Sequence, residues 1–279
     1  MAKTRPRKPE APRGAILRPS AAISEEYSAA VLRELERMHK ETVRVISRVW
    51  REAPPVMDSA MDASAGSQAR IALNALTTKY DAIFKRLAKR ASDRMISRTL
   101  RNSSVTLGMS LKEAAKEVTL DTYFLTDRLQ DIVTASTQEA ANLIKLIPQR
   151  YLGAVQGEVM RSITAGNGLQ DLVPQLTARY QGDVRHARLV AMDQTRKAYS
   201  NITAGRMSAL GFKRYEWIHS GGSQHPRKDH QEMHGNVYSL DDPPVIDKRT
   251  GERGIPGTAI FCRCSMRPII SFEEPEDAQ

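Results

Sequence analysis

The chain has 279 residues, of which 41% are hydrophobic and 27% are charged. This balance is typical of a folded protein with a sizeable core and argues against an intrinsically disordered chain. No run approaches the roughly 20 apolar residues of a membrane-spanning helix, and the basic N-terminus lacks the apolar segment of a secretory signal. We therefore expect a protein that is made in the cytoplasm and has no membrane partner.

The formal net charge of +10 is unevenly distributed along the chain. Residues 1–23 hold six basic groups and one acid, a net charge of +5, on a proline-rich segment that we expect to be a disordered arm. Such an arm can bind the phosphates of DNA or an acidic protein surface, or it can serve only to keep the protein soluble. The candidate DNA-binding residues are Lys3, Arg5, Arg7, Lys8 and Arg13.

Apolar residues at helical spacing dominate the chain as far as Gly211. The predicted helices are, in order, about residues 24–50, 67–101, 111–118, 126–147, 149–164, 169–180 and 185–210. Prolines, glycines and small polar residues predict the breaks between them, including 102–104 with Gly108 and the Gln181-Gly182-Asp183 segment. Gly211 has the character of a helix C-cap.

The composition changes after Gly211. Residues 212–219 alternate between aromatic and polar side chains, which predicts a strand. Shorter apolar runs at 237–240 and 266–270 predict two more, separated by a long loop rich in Asp, Pro and Gly. We therefore expect an α+β protein, with a mostly α-helical N-terminal region and a small, mixed α/β, loop-rich C-terminal domain.

Two histidines and two cysteines of this C-terminal region have a spacing that suits a metal ion. His230 and His234 would share one face of a helix. Cys262 and Cys264 are separated by one residue, so a disulfide between them would be strained. Two imidazoles and two thiolates form a complete tetrahedral set for a structural zinc ion. The alternative is a pair of buried, inert thiols.

Two enzymatic interpretations of the same segment are a metalloprotease and a nuclease. In a metalloprotease the glutamate directly follows the first histidine, whereas here Gln231 occupies that place and Glu232 lies about 100° further round a helix. A nuclease could use Arg227 as a phosphate clamp with His230 and His234 as an acid–base pair. No nucleophile with its base, no phosphate-binding loop and no paired carboxylates accompany these residues, so we expect no enzyme.

Several separated motifs follow one another between residues 150 and 270. They are a glycine turn at 166–168, a helix at 187–199, a strand at 210–217, an Arg-His-Gly signature and a Cys-Arg-Cys ending. Together these motifs resemble the phage Mu F-like head-morphogenesis family, and residues 16–150 are compatible with it. The residues that match the family's motifs are Arg227, His230, Gly235, Cys262, Arg263 and Cys264.

The resemblance implies a minor capsid protein for phage head morphogenesis, bound to the portal protein at the portal vertex inside the capsid. It implies the host cytoplasm as the place of assembly, and capsid or scaffold proteins and DNA as further partners. The runner-up is a nucleic-acid-processing enzyme or toxin-like nuclease that uses Arg227 and His230. The family commonly has Asp or Asn at the position of His234, so water or Asp241 is an alternative fourth zinc ligand.

The sequence is thus divided into four predicted segments. Residues 1–23 are the basic disordered arm and residues 24–150 a helical bundle. Residues 151–270 are the Mu F-like head-morphogenesis domain, and residues 271–279 are an acidic tail.

Overall fold

A computed structural model describes residues 11–52, 65–114, 120–221 and 226–270. Its helices are α1 Ala21–Glu52, α2 Ala65–Ala114, α3 Asp127–Lys145, α4 Ile147–Thr164, α5 Leu169–Ala209 and α6 Lys228–Glu232. Its strands are β1 Arg214–Ile218, β2 Val237–Ser239, β3 Val245–Asp247, β4 Glu252–Arg253 and β5 Ser265–Ile269. The α+β class, with helices first and a few antiparallel strands last, is confirmed. None of the described helices is long and apolar enough to cross a membrane.

Helix α2 is continuous where the sequence predicted an interruption at 102–104 and Gly108. The hydroxyl groups there are bonded inside the fold, with Ser103 Oγ 2.9 Å from Thr203 Oγ1 and Ser104 Oγ donating to the carbonyl of Leu100 at 3.3 Å. Small hydroxyl residues are compatible with a helix interior when their oxygens are satisfied in this way. The predicted break was therefore wrong, and residues 111–114 complete α2 rather than starting a short helix.

Helix α5 is also continuous through Gln181-Gly182-Asp183, where a break was predicted. Asp183 is only 7% exposed and forms ion pairs with Arg179 at 3.1 Å and Arg150 at 3.7 Å. A buried carboxylate with two cationic neighbours stabilises a helical residue that by propensity alone favours a turn. Helix α1 begins three residues before the predicted start, and Ser24 Oγ donates to the carbonyl of Ala21 at 2.8 Å.

Contacts divide the chain into two compact units, each made of separate stretches of sequence. The first comprises Met1–Ser20, Ile96–Ser136 and Thr195–Gln279, and the second comprises Ala21–Met95 and Thr137–Gln194. This grouping differs from the four consecutive segments predicted from the sequence. The boundaries at residues 23, 150 and 270 stay predictions.

The second unit has an α-helical core. Tyr27, Leu35 and Met38 of α1 are buried, and the hydroxyl of Tyr27 is 3.3 Å from Ser92 Oγ of α2. Burial lowers the pKa of His39, so its ring is neutral and Nδ1 can accept a hydrogen bond from the hydroxyl of Tyr151 at 2.7 Å.

The first unit is built around a three-stranded antiparallel sheet with the order β2-β1-β5. Tyr215 and Trp217 of β1 are fully buried and belong to one core with Tyr199 and Met207 of α5. The three predicted strands are thus present. The hairpin of β3 and β4 was not predicted, because these strands have only three and two residues within a loop rich in Asp, Pro and Gly.

Residues 12–17 of the N-terminal arm run along β5. The amide of Gly14 donates to the carbonyl of Pro268 at 3.0 Å, and that of Leu17 donates to Met266 at 2.9 Å. The side chain of Leu17 is 2% exposed. The prediction of a disordered arm was therefore wrong for residues 11–20, whose backbone gains the hydrogen bonds of an open sheet edge. Lys3, Arg5, Arg7, Lys8 and the acidic tail at 271–279 lie outside the described residues.

If the arm is part of the fold, shortening the buried side chain of Leu17 must destabilise the first unit. We expect Leu17→Ala to lower the free energy of unfolding by about 2–5 kcal/mol, because it leaves a cavity in the core. The measurement is urea denaturation followed by Trp217 fluorescence, with Trp50→Phe in all variants. Leu125→Ala is the matched control, since Leu125 of the same unit is 51% exposed. Equal midpoints for the two variants would contradict the packed arm.

Candidate metal centre

Three side chains that can bind metals converge in the first unit. His230 lies on the short helix α6, Cys262 in the turn before β5, and Cys264 immediately before that strand. His230 Nδ1 is 3.4 Å from Cys262 Sγ and 3.7 Å from Cys264 Sγ, and the three donor atoms all lie within 4.8 Å of one another. Each of the three residues is at most 6% exposed.

The imidazole of His230 is held by a hydrogen bond on its far side. Its Nε2 is 3.0 Å from the carbonyl oxygen of Ile246 on β3. A carbonyl can only accept, so Nε2 carries a hydrogen and Nδ1 faces the two thiols. Trp217 packs edge-on against the ring, with centroids 5.2 Å apart. Metal-binding histidines usually have such a carbonyl partner, which fixes their tautomer and orientation.

The backbone around the cysteines is tightly constrained. The amide of Cys264 points at Cys262 Sγ, 3.4 Å away. Gly257 has φ +89°, and a Cβ at this position would lie 2.4 Å from Ser200 Oγ. Only glycine combines that backbone conformation with that close approach. Phe261, directly before Cys262, has φ 56°, a conformation that non-glycine residues rarely adopt.

The electrostatics of the three groups are coupled. A hydrogen bond from the Cys264 thiol and another from His230 lower the pKa of Cys262 to about 4 despite its burial. Hydrogen bonding to Cys262 and burial raise the pKa of Cys264. Burial alone would lower the pKa of His230, but the hydrogen bond and charge of Cys262 raise it overall. The cluster therefore favours one thiolate, whose negative charge is stabilised by protons on the neighbouring groups. A bound metal cation would take the place of these protons.

The spacing of the donors fits one tetrahedral ion. With Zn–S bonds of about 2.3 Å and Zn–N bonds of about 2.0 Å, the sulfur–nitrogen edge of a tetrahedron is about 3.5 Å. The observed 3.4 Å and 3.7 Å lie on either side of that value. Thiolate and imidazole are also the ligands that zinc prefers. These three residues can hold a metal ion with little change in position.

The structure places the fourth predicted ligand elsewhere. His234 is exposed, and its Nδ1 accepts a hydrogen bond from the amide of His219 at 3.2 Å. Asp241, the alternative, pairs with Lys213 at 3.1 Å. The prediction of His234 as a ligand beside His230 was therefore wrong for the arrangement seen here. The helical spacing fails because α6 ends at Glu232, before His234.

The remaining family-motif residues shape the loops around the cluster. Gly235 has φ +81°, and its amide donates to the carbonyl of Trp217 at 2.9 Å. The guanidinium of Arg227 donates to the carbonyl of Ile260 at 3.0 Å. Arg263 accepts a hydrogen bond through its carbonyl from Arg196 at 3.5 Å. Arg13, a predicted DNA-binding residue, lies 3.5 Å from Glu216 and so has an acidic partner within the fold.

A cleft of about 250 Å³ opens beside the three donors. Its described lining residues are His219, Ser220, Pro226, Arg227, His230, Ile260, Phe261, Cys262, Arg263 and Cys264. This described lining contains no carboxylate. The nearby acids Asp229 and Glu232 both pair with Lys248, at 3.0 and 3.1 Å. His230 uses Nε2 for Ile246 and directs Nδ1 at the thiols, so it cannot act as a free base. The described lining residues therefore do not include the predicted acid–base pair of His230 and His234.

Comparison with known proteins identifies the region that contains this cluster. Residues 153–267 match the family described as phage Mu protein F like protein. This match covers 115 of the 279 residues. The match includes all three candidate metal ligands as well as Arg227 and Gly235. The family is one of phage head-morphogenesis proteins.

One relative extends the match beyond the family model. An uncharacterized protein of Haemophilus influenzae is 30% identical over 142 residues, which is 51% of this chain. The aligned part covers 30% of that relative, so this chain spans less than a third of its length. No solved structure matches.

Two residues important for the cluster were not anticipated from the sequence. Ile246 acts through its carbonyl oxygen, which no side-chain pattern can indicate. Trp217 was assigned to a strand, and only the fold shows that its ring packs on His230. An aromatic residue in the strand beside a histidine motif is a weak signal of such packing.

Proposed function

We propose that this protein is a minor capsid protein that takes part in phage head morphogenesis and binds the portal vertex. The Mu F-like region at 153–267 is the single observation that carries this proposal. The chemistry of the cleft supports it, because its described lining residues include no carboxylate and both ring nitrogens of His230 are engaged. The proposed partners are the portal protein and capsid or scaffold proteins. The proposed location is the capsid interior at the portal vertex.

A contact with packaged DNA is a further part of the proposal. The sequence places Lys3, Arg5, Arg7 and Lys8 on the N-terminal arm. The second unit adds a basic surface on α2, where five exposed cations accompany a single acid, Asp93, within ten residues. These cations are Lys85, Arg86, Lys89, Arg90 and Arg94.

Two of the five α2 cations have acidic neighbours among the described residues. Lys89 lies 3.4 Å from Asp93, and Arg94 lies 2.6 Å from Glu26. Lys85, Arg86 and Arg90 form no such pair within the described parts of the chain. Exposed cations of this kind bind DNA phosphates by releasing counterions, without reading the base sequence.

We also propose that His230, Cys262 and Cys264 bind one zinc ion. Their distances fit a tetrahedron, and the imidazole is already oriented by Ile246. The indole nitrogen of Trp217 is buried and has no hydrogen-bond partner among the described residues, although it lies near the Cys264 thiol. A metal-bound Cys264 thiolate is a stronger acceptor than a thiol, so it would satisfy this donor. Zinc would thereby connect α6 to the start of β5.

Incorporation into heads tests the main proposal. We expect heads purified from the phage that encodes this protein to contain it in few copies, and portal protein to co-purify with it from procapsids. Arg227→Ala should not remove any nucleic-acid cleavage by the purified protein. Absence from heads, or a nuclease activity that Arg227→Ala abolishes, would favour the enzymatic alternative.

DNA binding is tested by the salt dependence of affinity for a short duplex of random sequence. We expect glutamines at Lys3, Arg5, Arg7 and Lys8 to weaken binding and to reduce the slope of log K against log salt by about 0.9 for each lost phosphate contact. The same change at Lys85, Arg86 and Arg90 reports the contribution of α2. The control has four glutamines at exposed cations elsewhere in the second unit, at Lys145, Arg161, Arg185 and Arg188. Equal slopes in all variants would refute specific contacts by these residues.

Elemental analysis tests the zinc centre. We expect about one zinc per chain after purification without chelators, with large losses in Cys262→Ser and Cys264→Ser. His234→Ala is the matched control and should retain zinc, because His234 is bonded to His219 instead. Chelation should lower the thermal unfolding midpoint of the wild type but not of Cys262→Ser, since removing a ligand from the native state removes its stabilisation. A metal-free protein, or equal zinc content in all variants, would disprove the proposal.

A further inference from the structure

The cleft beside the three donors points to what the metal ion would bind. Resting on the zinc centre proposed above, we propose that its fourth coordination position opens into this cleft and binds a carboxylate from outside the chain. Neither the family match nor the donor set alone assigns such a ligand site.

The position of the donors leaves one vertex of the tetrahedron directed away from them. An ion bound to three donors lies to one side of the plane through them, and its fourth vertex points further along the same axis. His230, Cys262 and Cys264 all line the same cleft of about 250 Å³. The ion can therefore be bound on the cleft side, with room at the fourth vertex for a ligand of several atoms. Zinc sites with three protein ligands commonly keep this position for water or an exogenous group.

Nearby side chains that could complete the shell are engaged elsewhere among the described residues. His234 Nδ1 accepts the amide of His219, and His219 Nδ1 accepts the amide of Gly221, both at 3.2 Å. Asp229 and Glu232 are paired with Lys248. Within the described parts of the chain, only His230, Cys262 and Cys264 form a cluster of metal-binding donors.

The charge of the lining selects an anion. Two thiolates neutralise a divalent ion, while the side chains of Arg227 and Arg263 line the same cleft without an acidic residue among its described members. Arg227 uses one donor for the carbonyl of Ile260. A guanidinium has five N–H donors in a planar fork, which suits the two oxygens of a carboxylate. One carboxylate oxygen would bind the metal and the other would accept from Arg227.

The same lining argues for binding rather than hydrolysis. A metal-bound water becomes a useful nucleophile when a nearby group accepts its proton. The described lining residues include no carboxylate, both ring nitrogens of His230 are engaged, and His219 Nδ1 already accepts the amide of Gly221. The position would therefore anchor an acidic group, such as a side chain of an assembly partner, without transforming it.

Cobalt substitution of the full-length protein tests the open position. Tetrahedral Co²⁺ has a visible spectrum that changes when a ligand is exchanged. At constant ionic strength, we expect acetate to shift this spectrum saturably, whereas acetamide, its neutral isostere, leaves it unchanged. Arg227→Gln should weaken acetate binding about tenfold or more while leaving cobalt affinity intact, because it removes a charge-assisted hydrogen bond.

The outcomes distinguish failure of the open site from failure of the zinc centre on which it depends. Failure of Cys262→Ser to lower cobalt affinity would refute the metal centre itself. Cysteine-dependent cobalt binding with a spectrum that ignores acetate would show a filled fourth position and overturn the open site alone. Residues 222–225 lie outside the described residues and include His225. We therefore expect His225→Ala to respond to acetate as the wild type does. A response that appears only in this variant would also overturn the open site.

Discussion

The first unit must supply partners for three polar side chains that are buried together, those of His230, Cys262 and Cys264. His230, Cys262 and Cys264 are almost fully removed from solvent, and a buried polar group without a partner is costly. Their partners come from separate parts of the chain, namely the carbonyl of Ile246 on β3, the backbone amides of the Cys262–Cys264 turn and the ring of Trp217 on β1. The small strands and tight turns of this region therefore have a common effect. They bring backbone groups to donors that are close together in space but distant in sequence.

The N-terminal arm contributes to the same unit through the sheet that supports this cluster. It pairs along β5, which follows Cys264 directly, and places Leu17 in the core that contains Trp217. Glu216 of β1 is 6% exposed and has two cationic neighbours, Arg13 at 3.5 Å and Arg267 at 3.2 Å. A buried carboxylate needs such partners. The net charge of the arm thus overstates the number of basic groups that could contact DNA phosphates, because at least Arg13 has an acidic partner in the fold.

The sequence predicted those features that depend on local periodicity or on family motifs. The helices, the three-stranded sheet and the Mu F-like region are of this kind, as are the glycine turn at 166–168 and the C-cap at Gly211, where Gly166 and Gly211 have positive φ values. The two helix breaks that were wrongly predicted have one origin. Ser103 and Asp183 favour turns by their intrinsic propensity, yet tertiary hydrogen bonds and ion pairs stabilise them within helices. Propensity cannot anticipate a partner that only the fold supplies.

The candidate site shows the same limit more sharply. The residue types and the spacing of Cys262 and Cys264 correctly indicated a place where metal-binding donors meet, but they also suggested His234, because the helix was assumed to extend over both histidines. In the structure α6 has five residues and ends before His234. The sequence shows which side chains could bind a metal. How many of them come together depends on where helix α6 ends.

The chemistry of His230 connects the metal centre with a structural role. A histidine that works as an acid or base must exchange a proton at one of its nitrogens. Here Nε2 donates to Ile246, while Nδ1 faces Cys262 and Cys264, so neither nitrogen is free for a substrate. A ring used in this way suits metal binding and the positioning of loops. The local geometry therefore gives no support to an acid–base role for His230.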